Sequence, residues 1–329
     1  MFDFRFALAI LAATTLFIDL ASAQPAVIPP AVLDKAQELS GKEDSRREVL
    51  ENALQWRFRP REGEQRVLFR ETVSISGTTV QGTPMREEWE RGYTQTESTR
   101  KAGAAWGITT TLTHIEGFRN GKLVEDPVAE AFMGKSVLLS IGEDGNLASM
   151  AGVETAIQEV RASIGVEAAT SAGDKLSVET VRRQVGARFQ ERYLDVIGRP
   201  LTEDAWIVRG RRFRAPTGND IEGVTAIKLD SYEEIDGVRC ARIRVDQGGT
   251  PDDFKDEGAK GAVETYFKAA GHPPRAPSGA VLGGSTYWFE VETGMMKRIR
   301  RKMSGESRRR LGARAESIHF TVERRTDFR

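Results

Sequence analysis

Strict alternation of apolar and polar residues fills this chain on both sides of one stretch that does not alternate, and that combination leaves few folds open. In Ser177–Leu194 the apolar residues Val178, Val181, Val185, Phe189 and Tyr193 recur at steps of three and four, which places them along one side of an α-helix. Such a helix needs a surface to lie on. Ser177 is placed to cap its start, Glu179 sits in the first turn where the helix dipole favours an anion, and Gly198 followed by Pro200 closes its exit.

The surface is supplied by strands. Leu54, Trp56 and Phe58 alternate with Gln55, Arg57 and Arg59, and Val67, Phe69, Val73 and Ile75 share one face of the next strand with Glu71 in the same row. Met85, Trp89 and Tyr93 continue the pattern, as do Trp106, Ile108, Thr110 and Leu112. Asn120-Gly121 predicts a tight hairpin, because both residues tolerate positive φ. A second hairpin turns at Glu143–Asn146, and Val153, Ile157, Val160 and Ile164 predict a short amphipathic helix. After Pro200, strands are predicted over Trp206–Arg214, Val224–Tyr232, Val238–Val245, Ser285–Val291 and Met295–Met303, with a last one through Ile318, Phe320 and Val322.

The fold class that follows is mainly β (α+β), a curved antiparallel sheet or half-barrel wrapping one or two helices. Its single domain, residues 53–329, divides into halves 53–176 and 200–329 joined by the helix at 177–194. The hairpin around Gly294 echoes the one around Gly145, which suggests related halves. Gly248 to Gly284 interrupts the second half, with a short helix expected over Ala262–Ala270. It is too long for an ordinary hairpin connection and reads either as a lid or as a plain insertion.

The N-terminus has its own logic. Met1–Ala23 carries Arg5, an apolar run from Phe6 to Ile18 and the small-x-small site Ala21-Ser22-Ala23, the pattern of a cleaved signal peptide. A membrane anchor is the rival reading, but the run falls short of the roughly 20 residues a span needs. Gln24 stands where a lipoprotein would need Cys. The expected product is exported, periplasmic or extracellular, and not lipid-anchored, with residues 24–52 an extension holding short helices. Removing Asp3, Arg5 and Asp19 from 48 basic and 48 acidic residues leaves 47 against 46, so no general attraction to nucleic acid is expected. Cys240 is the only cysteine. No intramolecular disulfide is available, and stability must come from a core.

Four features recur in this order: the run Leu54-Gln55-Trp56-Arg57-Phe58, the hairpin with Gly145, the helix leading to Ala205-Trp206, and the hairpin with Gly294. In these the chain resembles uncharacterised exported bacterial proteins whose architecture is similar to the lipoprotein-carrier class. The resemblance spans most of residues 24–329. It implies a strongly curved antiparallel sheet that wraps helices around an apolar cavity, and it brings no catalytic residues.

Motifs for chemistry are absent from the sequence. His114, His272 and His319 stand at no metal-ligand spacing, and there is no Gly-x-Ser-x-Gly elbow, phosphate-cradling glycine loop or His-Glu-x-x-His helix. Asp252, Asp253, Asp256 and Glu257 depart from calcium-loop spacing and read as a solvated acidic loop. No metal, no cofactor and no enzymatic activity are therefore expected. Trp56, Phe58, Phe69, Trp89 and Trp106 fall on rows that alternation turns inward, where they either line an apolar ligand cavity or simply are the core. Lys297 to Arg314 holds nine basic residues against Glu306 alone, and within it Arg298, Arg300 and Lys302 share a strand face. They offer either a contact for an anionic lipid surface or an ordinary solvated face. Two functional readings stand: an exported, non-enzymatic envelope protein holding an apolar or lipid-like ligand between sheet and helix, or a structural or assembly factor binding another envelope protein.

Overall fold

The computed structural model describes residues 54–78, 82–142, 144–193, 200–203, 205–214, 220–271, 279–311 and 314–329. Residues 1–23, expected to be a signal peptide, and the expected extension at 24–52 lie outside them.

Both sets of alternating segments join one antiparallel sheet. In chain order its strands are β2 (Gly63–Thr78), β3 (Pro84–Ala102), β4 (Ala105–Arg119), β5 (Lys122–Leu123), β6 (Ser136–Ile141), β7 (Leu147–Ala151), β9 (Ile207–Arg214), β10 (Asp220–Ile235), β11 (Val238–Gly248), β12 (Gly279–Glu290), β13 (Met296–Leu311) and β14 (Arg314–Phe328). Two short strands, β1 (Leu54–Gln55) and β8 (Pro200–Leu201), pair separately. The spatial order is β7-β6-β4-β3-β2-β14-β13-β12-β11-β10-β9, with β5 beside β4. The first run of strands steps outward from β2 and the last run steps inward to β14. The two runs meet where β2 pairs with β14, from Val67↔Phe328 to Thr78↔Ser317.

This order leaves β7 and β9 at opposite edges, so the chain between them must cross a face. It crosses as α2 (Val153–Ala172), a 3-10 turn at Gly173–Leu176, and α3 (Val178–Tyr193). Ser177 caps α3 as its sequence suggests, its Oγ accepting from the Thr180 amide at 3.1 Å. Gly165, at φ 80 and ψ 166, kinks α2, so its first piece ends at Ile164 like the short helix expected there and a second piece follows. Register shifts at Thr94/Gln95, Ser140/Ile141, Leu229/Ser231 and Trp288/Phe289 bend the strands around these helices, as bulges do.

Inward residues follow the expected parity. Val67, Ile108, Leu139, Ile141, Ile227, Ile243, Tyr287 and Phe289 pack with Val153, Ile157, Val160, Val181, Phe189 and Tyr193 from the helices in one buried cluster. Trp56 and Phe58 enter it from the chain before β2. Here the extended strand anticipated from Leu54 to Phe58 is confined to Leu54–Gln55, because Trp56 and Phe58 are gripped by loops. The Trp56 Nε1 donates to the Gly294 carbonyl at 3.0 Å. A Cβ at Gly294 would stand 2.0 Å from the Arg57 carbonyl oxygen, and one at Gly145 2.5 Å from the Trp56 ring. The two echoing hairpins thus close on the same tryptophan, and each needs its glycine there for close approach as well as for positive φ. Asn120 and Gly121 turn the expected tight hairpin at φ 50 and 73. A five-residue helix, α1 (Pro127–Ala131), capped by Asp126 at 3.0 Å, has no periodicity long enough to be read in advance.

The insertion, expected to be either a lid or a plain insertion, packs through its own helix. This helix, α4 (Glu257–Ala270), sets Ala259 and Val263 onto Val208, Val224 and Ala226. Those residues alternate with Ile207, Ile227 and Leu229 of the main cluster and point to the opposite, convex face. In its described residues, therefore, the insertion packs away from the concave face. Its acidic residues are tied into local structure: Asp253 accepts from the amides of Gly249 and Thr250, Asp256 caps α4, and Asp252 pairs with Lys260 at 2.8 Å.

Candidate functional site

A row of charge crosses the concave face. Arg91, Glu71, Arg324, Arg301 and Ser285 stand directly opposite one another on β3, β2, β14, β13 and β12, and all are buried. Each holds an inward position between apolar neighbours on its own strand: Arg91 follows Trp89, Glu71 separates Phe69 from Val73, Arg301 separates Ile299 from Met303, and Arg324 follows Val322. Isolated burial of such groups costs several kcal/mol per ion, so they persist only when paired and hydrogen-bonded. Glu71 is shared: Arg91 pairs with one oxygen, and Arg324 donates to the other from Nε at 3.1 Å and Nη2 at 2.8 Å. Arg301 donates to Ser285 Oγ at 2.9 Å and to the Tyr287 hydroxyl at 2.8 Å.

Two more arginines descend from α3. Arg188 and Arg192, four residues apart, lie on the same side of the helix. The Arg188 guanidinium sits 5.3 Å from the Tyr93 ring centre. Arg192 pairs with buried Glu97 at 2.8 Å and lies 4.9 Å over the Phe328 ring. Burial works against the charge of Arg192, but Glu97 outweighs it and the pKa is raised. In Arg91 burial prevails over Glu71, and the neighbouring Arg324 and Arg188 add to it, so its pKa is lowered. Between helix and sheet these groups enclose a cavity of about 30 Å³, lined by Phe69, Tyr93, Arg188, Arg192, Ile299, Arg301, Arg324 and Thr326. Among the described residues four with guanidinium groups line it and no carboxylate does.

The aromatic residues expected to line a ligand cavity do not converge. Trp56 and Phe58 are packed into a ring cluster with Phe189, Tyr193 and Phe289, at centre distances of 5.2 to 6.5 Å. They are core, and burial pushes the Tyr193 phenol up to about 12. Trp106 packs at the margin of the same cluster. Trp89 belongs to a second cluster beyond the charged row, with Val73, Val281, Met303, Phe320 and Val322. Only Phe69 reaches the cavity, stacked on Tyr93 at 4.4 Å with Arg324 5.4 Å from its ring centre.

Arg298, Arg300 and Lys302 do share the outer face of β13, but acidic residues of β14 meet them. Asp327 takes Arg298 at 3.2 Å and Arg300 at 2.7 Å, and Glu323 takes Lys302 at 2.5 Å. The stripe is therefore largely neutralised within the sheet. The side chains of Arg308, Arg309, Arg310 and Arg314 lie outside the described residues. His114 and His319 are exposed, and His272 falls outside the described residues. Burial raises the Cys240 thiol to about 11, which keeps it protonated and unreactive. Among the described residues no three His, Cys, Asp or Glu side chains gather as a metal ion would require.

Sequence reading overlooked the arginines of the charged row, although a signal was there. A charged residue sits in an inward row on each of β2, β3, β13 and β14, and Glu71 alone was placed in such a row.

No family model matches the chain, and no curated protein matches it. Solved structures give a weak likeness of fold. A lipovitellin structure describing lipid-protein interactions aligns at TM-score 0.38 and 9% identity, over 82% of this chain and 25% of that one. The hypothetical lipoprotein YmcC from Escherichia coli aligns at TM-score 0.19 and 10% identity, covering 77% and 85% of the two chains. A DUF1329 family protein from Desulfovibrio piger aligns at TM-score 0.14 and 10% identity, covering 92% and 91%. The chain spans about a quarter of the lipovitellin chain.

Proposed function

We propose that this is an exported, non-enzymatic envelope protein that holds an apolar, lipid-like ligand between the curved sheet and the helix α3. The observation that carries the reading is the cavity at the seam of α3 with β2, β3, β13 and β14, where Phe69, Tyr93 and Ile299 supply apolar walls. Helix and sheet leave space there. The ring cluster around Trp56 is filled, so an acyl chain has no room there. At about 30 Å³ the cavity holds no more than a water molecule as it stands. A ligand larger than that requires α3 to move outward, against its buried Val181, Phe189 and Tyr193. Export rests on the Met1–Ala23 pattern. No described helix is long and apolar enough to cross a membrane.

The test is native mass spectrometry of protein from its own host, followed by displacement of a fluorescent fatty acid. One saturable site and a co-purified amphiphile are expected. Protein that arrives empty and displaces nothing contradicts the reading.

A further inference from the structure

We infer that residues 54–61 are a latch on the last turns of α3, whose release lets the helix swing out from the sheet. For its purpose, the admission of an apolar ligand, the latch rests on the reading above. The segment crosses from one echoing hairpin to the other, with the Trp56 ring against Gly145 on one side and the Trp56 Nε1 bonded to the Gly294 carbonyl on the other. Its rings close on the end of the helix: Trp56 stands 5.2 Å from the Tyr193 ring centre, and Phe58 stands 5.6 Å from that of Tyr193 and 6.4 Å from that of Phe189. Arg188 and Arg192, which line the cavity, lie on these same turns. Widening the cavity at this end therefore requires the two rings to let go.

The hold on this segment is slight compared with what it holds. β1 meets β8 through two residue pairs, Leu54↔Leu201 and Gln55↔Pro200. Beyond them, the polar contacts of residues 56–61 among the described residues go to one turn: Trp56 Nε1 to Gly294, the Arg59 amide to the Thr293 carbonyl at 2.7 Å, and Arg61 to Glu290 at 3.1 Å and Glu292 at 2.6 Å. Contacts gathered on one turn break together. The start of α3 is tied to other elements, since Arg161 of α2 donates to the Leu176 carbonyl at 3.0 Å and Arg182 pairs with Glu154 of α2. A helix fixed at its start and latched at its end opens most readily at the latch, where the local contacts are fewest. An acyl chain that enters there restores the apolar burial that the rings give up.

Hydrogen exchange of the full chain tests the latch, and stopped-flow uptake of a fluorescent fatty acid tests its purpose. Trp56→Phe keeps a ring but removes the bond to Gly294, and Arg61→Ala removes the two ion pairs without touching the rings. In Trp56→Phe the amides of residues 186–193 are expected to exchange about fivefold faster than in the parent, the effect of one lost hydrogen bond, and uptake to quicken by the same factor. Arg61→Ala should move both in the same direction by about twofold. Val208→Ala, which weakens the convex cluster away from the latch, controls for general loss of stability and should leave both unchanged. Thermal melts establish that each variant is folded; if Trp56→Phe is not, the exposed Arg61 position decides alone. Exchange at 186–193 that stays at the parent's rate in both latch variants, or rises as much in Val208→Ala, overturns the latch whether or not the fatty acid binds. Faster exchange with uptake unchanged overturns the latch as a gate. Faster exchange with uptake by no protein supports the latch on α3 and overturns the apolar-ligand reading.

Discussion

Two apolar clusters share the concave face of this sheet, and they are closed in different ways. The larger one, from Val67 to Phe328, is covered by α2 and α3 and completed by Trp56 and Phe58. The smaller one, Val73, Val281, Met303, Phe320 and Val322 with Ile75 and Trp89, is built among the described residues from five adjoining strands alone. Between them runs the row Arg91, Glu71, Arg324, Arg301. A continuous apolar face of this width would invite α3 to slide along it, since apolar contact is non-directional. Ion pairs are directional: Arg192 must meet Glu97, and Arg188 must lie over Tyr93. These contacts of α3 with β3, beside the charged row, fix where the helix lies.

The sharpest way to break this difference is Phe189→Asp. It places an unpaired charge among Phe58, Tyr193 and their neighbours, and the lost apolar contact adds to a desolvation cost of several kcal/mol. Loss of a cooperative melting transition by circular dichroism is expected. A variant that melts like the parent would show that the helix layer is not what closes the larger cluster.

Glu71→Ala comes next. It leaves Arg91 and Arg324 buried without the carboxylate they share, at a cost of about 3 to 5 kcal/mol in chemical denaturation. Replacing all three together, Glu71→Leu with Arg91→Met and Arg324→Met, should recover most of that loss and join the two clusters into one face. A triple variant no more stable than Glu71→Ala would mean that the row does more than separate apolar regions.

A smaller effect distinguishes the helix-covered cluster by pH. Burial raises the Tyr193 phenol from 10.0 to about 12, so the folded state favours its neutral form. The stabilisation is complete below about pH 10 and is lost as pH rises through 12, amounting to about 2 to 3 kcal/mol. Urea midpoints measured across that window should fall more steeply for the parent than for Tyr193→Phe. Parallel slopes would place the phenol in contact with water.

Much of this architecture was legible in the sequence because its signals are local. Helix α3 declared its apolar side and its Ser177 cap, and the Asn120-Gly121 and Gly294 turns declared themselves by backbone chemistry. Alternation sorted inward from outward residues on β2, β3, β13 and β14. Even the position of α4 had a trace: Trp206-Ile207-Val208 and Ala226-Ile227 are apolar at successive positions, as strands buried on both faces are. Without that trace the insertion stays open between a lid and a plain insertion.

Tertiary structure alone decided the rest. Period-two patterning tells which way a side chain points and nothing about which strand lies beside it, so the pairing of β2 with β14 could not be read. That pairing sets Glu71 against Arg324 across 253 positions of chain. A charged residue in an inward row looks like an isolated exception until its neighbours on adjacent strands are known, and only the register turns four such exceptions into one row. The same holds for the cavity, since Arg188 and Arg192 meet Arg301 and Arg324 only after the chain between β7 and β9 has crossed the face. Sequence determined the elements and their sides; register and crossing determined which charges share a space, because those depend on contacts between residues that no local period relates.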